Sequence, residues 1–419
     1  MFKSASGDDL VAAHYWAPCT TAGSARAARF VKSTGLKAVL CLGLALAAAL
    51  TAAASAGAAT LVVDKDRQQC RDADYTTIMA AVAAADAGDN IAVCPDLYAE
   101  SVVVSTPDLK LRGRGRLPQH CDDATPAAAD PSQHVIVTAP GNPAFDLQAD
   151  DVVLRGFVVQ ESDPGIRTGQ SFSGYRVERN FVQDNRVGSV FGGSGERVSR
   201  LSHNCFRRNG AGPAASAVFS SAAFDGELHD GRIEHNVFHA NAFAIRLGGG
   251  EDIRVAHNRS SLDGVFIRPA FTRALEILHN RIRSGTGSAL WFFRNPMVPQ
   301  PNTAAVVSHN VINGRGGHAI TADAGALTNS LISHNTLTSN AMDGINLQTG
   351  NTGNEIEYNR TDDNGSDGIH AQGAIGNAFV RNRMAGNAEH DAHDDNRPAN
   401  QWTGNRCHTD LPAGSICAR

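Results

Sequence analysis

An apolar residue stands three places before an asparagine again and again along this chain. Val177 precedes Asn180, Leu201 precedes Asn204, Ile233 precedes Asn236 and Val255 precedes Asn258. Ile277, Val307, Ile332, Ile356 and Phe379 precede Asn280, Asn310, Asn335, Asn359 and Asn382 in the same way, and Asn405 closes the series. Gly113 and Gly156 occupy the slot in two earlier rungs. The steps between asparagines run from 22 to 32 residues. Downstream of each asparagine a small residue opens a second short run, as in "DGINL" (343–347) and "DGIHA" (367–371). Runs this short, joined this tightly, predict strands and leave no room for a crossover helix. A fixed period of this length predicts a solenoid, here an all-β, single-stranded right-handed parallel β-helix. Asparagine and glycine tolerate positive φ, so the column is predicted to mark a left-handed bend repeated once per coil. Stacked amides are also expected to hydrogen-bond from coil to coil.

A solenoid needs capped ends. An N-terminal capping helix is predicted over Thr76–Ala87, with Ile78, Ala81, Val82 and Ala85 on one face and Gly88 as its stop. Upstream, a basic stretch (25–37), an apolar stretch (38–54) and small residues (55–59) form the three-part pattern of a cleaved signal peptide. The expected organisation is a leader at 1–59, with residues 1–30 read as preceding a true start near Val31. Then follow a cap and first coil at 60–112, coils at 113–405 and a disulfide-stapled tail at 406–419.

Cleavage after residue 59 would remove five basic and two acidic residues, taking the formal charge from −5 to −8. That balance gives no support to a nucleic-acid partner. Six cysteines would remain, an even count that suggests disulfides in an exported protein. Cys70–Cys94 and Cys407–Cys417 are the local pairs, with Cys121–Cys205 left over. The expected location is secreted or periplasmic, with no membrane span in the mature form, and a monomer is expected.

The stretch "TTIMAAVAAADAGDNIAVCPDLYAESVVV" and the repeats after it resemble the secreted right-handed β-helix repeat proteins of the pectate-lyase-like superfamily. The ending "EHDAHDDNRPANQWTGNRCHTDLPAGSIC" is similar to the tails of bacterial members. The resemblance implies the fold over about 65–417 but no single activity, because the superfamily holds lyases, hydrolases, esterases, epimerases and non-catalytic members. No D-P-H-D motif of the alginate C5-epimerases is present; "EHDAHDD" lacks the proline.

Two columns carry candidate chemistry. The residue before the ladder slot is Arg112, Arg155 or Arg179 in early coils, then His203, His235, His257, His279, His309 and His334, then Tyr358 and Arg381. Arginine there argues for a solvent-facing corner, read as stacked polar rings, a pH-dependent polyanion stripe or a metal array. Counting onward from each asparagine predicts a second outward column of Asp146, Arg167, Phe191, Phe219, Arg246, Phe266, Trp291, Thr321, Asn346, His370 and His393. Two places further lie Arg268, Phe293, Asp323, Gln348, Gln372 and Asp395. Flat aromatics beside polar groups suit sugar rings. Phe191, Phe219, Phe266, Trp291, Asn346, Gln348 and Gln372 are therefore the expected polysaccharide-binding residues. A lyase on a uronate needs a base and a cation, for which Arg246, Arg268, Asp323 and His370 are candidates. Asp343 and Asp367 are the alternative carboxylate pair of a hydrolase, or else turn residues. His390, His393 and Asp394 are expected to hold a divalent cation of the calcium class, or to be a polar end cap. The expected function is binding of an extracellular polysaccharide, with cleavage open. Its rivals are a non-catalytic adhesin-like solenoid and a periplasmic metal-handling β-helix.

Overall fold

The computed structural model describes residues 57–122, 129–210, 216–221 and 226–417. The leader read at 1–59 lies almost wholly outside the described residues. Each coil of the chain visits three parallel sheets in turn. Sheet one has 14 strands, from Thr60–Val63 to Gln401–Thr403, and holds the apolar position that precedes each asparagine. Sheet two has 12 strands, from Asp96–Ala99 to Arg383–Ala385, and begins just after the asparagine. Sheet three has 13 strands, from Val102–Val104 to Asp410–Leu411. Strands of successive coils pair in parallel and in register, as Val177 with Leu201, Leu201 with Ile233 and Ile233 with Val255. Inward positions stack into one continuous core, which includes Leu154, Val177, Ile277, Ile345 and Ile369.

The asparagines form a buried ladder. Asn204 Nδ2 donates to Asn236 Oδ1 at 3.1 Å and to the Val177 carbonyl at 2.9 Å, while the Asn204 N–H donates to the same Oδ1. The pattern repeats at Asn236, Asn258, Asn280, Asn310, Asn335, Asn359 and Asn382. Each amide thus satisfies backbone groups that the corner would otherwise bury unpaired. The positive φ predicted for the asparagine falls one residue earlier: His203, His235, His257, His279, His309 and His334 have φ between 54° and 57°. The amide is needed inside, so the left-handed bend passes to its neighbour, whose ring projects at the corner. Those rings stack, with centroids 4.9–5.1 Å apart from His203 through to Tyr358. Burial and the adjacent imidazoles hold His203 and His279 below the ordinary histidine value.

A second ladder was not anticipated. Asn185, Asn209 and Asn241 bond coil to coil at the next corner and end on Asp263; Asn340, Asn364 and Asn387 resume it and end on Asp391. Between them Gly285 has no amide to offer, and the guanidinium of Arg315 fills the gap by donating to the carbonyls of Gly287, Ser284 and Gly264. Burial pushes Asp263 up to about 6, against the bonds from Ser260 and Asn241 and the charge of Arg315.

The capping helix is shorter than predicted, Ile78–Ala84 with Thr77 as N-cap, and buries Ile78, Ala81 and Val82. It ends before Gly88 because Ala85 is already extended. Glu100 accepts the N–H groups of Ile78 and Met79 and completes the helix start. All three expected disulfides are present: Cys70–Cys94, Cys121–Cys205 and Cys407–Cys417. Among the described residues no helix is long and apolar enough to cross a membrane.

Candidate functional site

The outward column of sheet three follows from the strand register. Asp146 pairs with Arg167, Arg167 with Val190, Val190 with Phe219 and Phe219 with Arg246. Arg246 pairs with Arg268, and Leu290 opposite Ile267 sets Trp291 beside Arg268. Then come Thr321, Asn346, His370 and His393.

Two aromatics predicted on this face point inward instead. Phe191 and Phe266 are fully buried in the core. In the coil from Asn180 the outward residue lies ten places on, at Val190, and the count of eleven overshoots it. A slip of one residue reverses the face. In the coil from Asn258 the column is reached at Arg268, ten places on and in register with Arg246, so Phe266 falls at the core position of Ala244. Phe219 does stand in the column, but it is buried against Val187 and Val190. It therefore offers little open ring surface.

The middle of the column is cationic and aromatic. The Arg268 guanidinium lies 3.6 Å from the Phe293 ring centroid and 4.7 Å from that of Trp291. Arg246 lies over Phe219 and Phe243 at 5.5 and 5.2 Å. Burial and the charge of Arg246 push Arg268 down to about 10, with Asp323 acting the other way. Burial lowers Arg246 too. Arg268 Nε is buried without a hydrogen-bond partner. Asp323 belongs here: Trp291 Nε1 donates to it at 2.8 Å and fixes the indole edge-on to Phe293.

Past Thr321 the chemistry changes. Asp367 is fully buried, and three imidazoles converge on it. His390 Nδ1 lies 3.1 Å from Oδ1, while His393 Nδ1 and His370 Nδ1 lie 3.0 and 3.3 Å from Oδ2. His370 and His393 are stacked, 4.0 Å between centroids. Their outer nitrogens face Asp395 Oδ1 at 3.5 and 3.0 Å, and His370 Nε2 has no hydrogen-bond partner. Asp343 accepts from Asn346 Nδ2 at 2.9 Å and from the Asp367 N–H, and lies 3.2 Å from His318 Nδ1. Burial alone would raise Asp343, but the bonds from His318, the Asp367 N–H and Ser366, with the His318 charge, bring it down to about 2. Asp343 and Asp367 are thus turn residues with their oxygens engaged, in place of an open hydrolytic pair.

The candidates therefore split. Arg268 and Asp323 meet at Trp291, with Arg246 one coil before Arg268, whereas His370 lies four coils beyond Arg268, roughly 19 Å at about 4.8 Å per coil. Asn346 is buried and also bonds Gln372 Oε1 at 3.3 Å, and Gln348 is the register partner of Gln372. The cation set of His390, His393 and Asp394 also needs correction. Strand alternation turns Asp394 inward, where it accepts from Trp402 Nε1 at 2.8 Å and Asn400 Nδ2 at 3.1 Å. The carboxylate shared by His390 and His393 is Asp367, 23 and 26 residues earlier in the chain. His318 was missed; its only sequence signal is a place in the coil just before the strand of Thr321.

The family model for a right handed beta helix region matches residues 219–360 and 263–410. No curated protein matches the chain in sequence. Among solved structures, the A-module of a mannuronan C-5 epimerase from Azotobacter vinelandii is similar at a TM-score of 0.55 and 15% identity, over 81% of this chain and 93% of that one. The catalytic unit of an α-1,3-glucanase from Streptomyces thermodiastaticus is similar at a TM-score of 0.50 and 12% identity, over 85% of this chain and 70% of that one. At such identities the likeness is one of fold. Three stacked parallel sheets, the family match and these likenesses give the chain the fold of a right-handed parallel β-helix.

Proposed function

We propose that this protein is exported and binds an acidic polysaccharide along the outward column of sheet three, with proton-transfer chemistry at His370. The observation that carries this reading is the pair of half-buried guanidiniums, Arg246 and Arg268, set one coil apart among aromatic rings. Removing a cation from water is costly, and a carboxylate-bearing sugar would repay that cost while its ring stacks on Trp291. Successive coils would then meet successive stretches of an extended glycan. The two structural relatives are named for action on glycans, which accords with this reading.

At the far end, an Nδ1–H directed at Asp367 would leave the lone pair of His370 on Nε2, a buried nitrogen 3.5 Å from Asp395 Oδ1, so its use as a base requires the groups that cover it to part. A base there can take the proton from C5 of a uronate. The C4–oxygen bond then breaks, a C4–C5 double bond forms and the departing oxygen takes up a proton, for which His393 between Asp367 and Asp395 is the nearest group. The three disulfides favour an oxidising compartment.

The test is incubation with uronate polymers while following the absorbance of an unsaturated product. Product formation that disappears in His370→Gln supports the reading. Retained glycan affinity with no product from any polymer would leave a binding module.

A further inference from the structure

Sheet two carries a cationic patch that is separate from the column on sheet three. Arg259 and Arg281 are register partners on adjacent coils, as are Ser261 and Arg283. Residues two apart on a strand share a face, so these four side chains mark the corners of one outward rectangle, about 4.8 Å by about 6.7 Å. All three arginines are exposed, and they line a cavity with Val237, Ser260 and Ser261. Asp122 forms one wall of that cavity. It makes no ion pair with the arginines, and among the described residues no other carboxylate does.

The contrast with other arginines on the molecule is informative. Arg186 pairs with Asp163, Arg208 with Asp184, Arg232 with Asp230 and Arg254 with Glu234. For these four, the same or a neighbouring coil supplies an acid. Arg232 and Arg254 are also register partners, but each has its acid, whereas Arg259 and Arg281 face each other without one, and like charges one coil apart repel. The patch is also bounded. The preceding coil offers Val237 and His239 at these positions, and the following coil offers Val311 and Asn313. Its extent is two coils.

We propose that Arg259, Arg281 and Arg283, with the Ser261 hydroxyl, form a binding site for a tetrahedral oxyanion, the sulfate or phosphate ester of a glycan. One carboxylate is satisfied by a single bidentate guanidinium, whereas three forks and a hydroxyl match the three terminal oxygens of a sulfate or phosphate ester. The site does not depend on the reading of sheet three.

Isothermal titration of the full chain with inorganic sulfate and, separately, inorganic phosphate at low ionic strength tests it. One equivalent of at least one ion should bind, and the tighter of the two identifies the ester. Arg281→Gln should weaken binding at least tenfold, and the triple variant R259Q/R281Q/R283Q should abolish it with an unchanged melting temperature. Arg186→Gln, an arginine paired with Asp163 on another part of the coil, should leave it intact. Failure of both ions to bind, or binding that survives the triple variant, overturns the proposal.

Discussion

The middle and the C-terminal end of the sheet-three column share one backbone geometry and carry opposite chemistry. Around Arg246, Arg268 and Trp291, cations are desolvated among rings and the one carboxylate at hand, Asp323, is bonded to the indole. Around Asp367, buried carboxylates organise four imidazoles and leave one buried ring nitrogen, His370 Nε2, without a hydrogen-bond partner. The first environment is suited to gripping a fixed negative charge. The second is suited to moving a proton. The difference teaches that a β-helix can separate holding from reacting along one column, because every coil adds one side chain at a constant spacing.

If that division is right, the two ends should fail differently. The largest effect is expected from His370→Gln, which should lower kcat by about 10²–10⁴-fold with little change in KM, as steady-state kinetics on a uronate polymer would show. Arg268→Gln should do the reverse, raising KM by roughly 10–100-fold, the loss of a charge-assisted bond worth about 1.5–3 kcal/mol, at nearly constant kcat. Because Arg268 sits at about 10, wild-type affinity for the acidic glycan should also fall as pH rises through that value. Binding isotherms between pH 8 and pH 11 would show this fall flattened in the variant.

Asp343 sharpens the contrast through stability. Its folded value of about 2 lies below the ordinary carboxylate value, so the fold favours the ionised form. The resulting stabilisation, about 2 kcal/mol, is present above about pH 4 and is lost as pH falls toward 2. Asp343→Asn should therefore flatten the acid limb of the Tm-versus-pH curve. The smallest effect should come from Trp291→Ala, about a tenfold loss of glycan affinity without unfolding. Unchanged binding in that variant would remove the ring platform from the account.

How much of this could be read in the sequence depends on what each feature requires. The first ladder was legible because every coil repeats the same buried amide, from Asn180 to Asn405. The second ladder was hidden because Asp263, Gly285 and Arg315 interrupt it, although Asn340, Asn364 and Asn387 repeat at fixed offsets. The outward column was read correctly from Asn280 onward, where each coil reaches it after eleven residues, as at Trp291, Asn346 and His370. It failed at Phe191, where the column comes after ten residues and a single residue exchanges inside for outside, and at Phe266, which sits two places before the outward Arg268. The cation set failed at Asp394 for a related reason: adjacent residues on a strand cannot serve one face, whereas a residue one coil away can. Asp367 is such a residue, distant in the chain and adjacent in space.

The most direct test of the division is the dependence of turnover on chain length, using oligouronides of defined size. Arg268 and His370 stand four coils apart, so KM should drop steeply once the oligomer spans roughly 19 Å, at about 4.8 Å per coil, and that drop should vanish in Arg268→Gln. A KM that is indifferent to length, or a length effect that persists without Arg268, would contradict it.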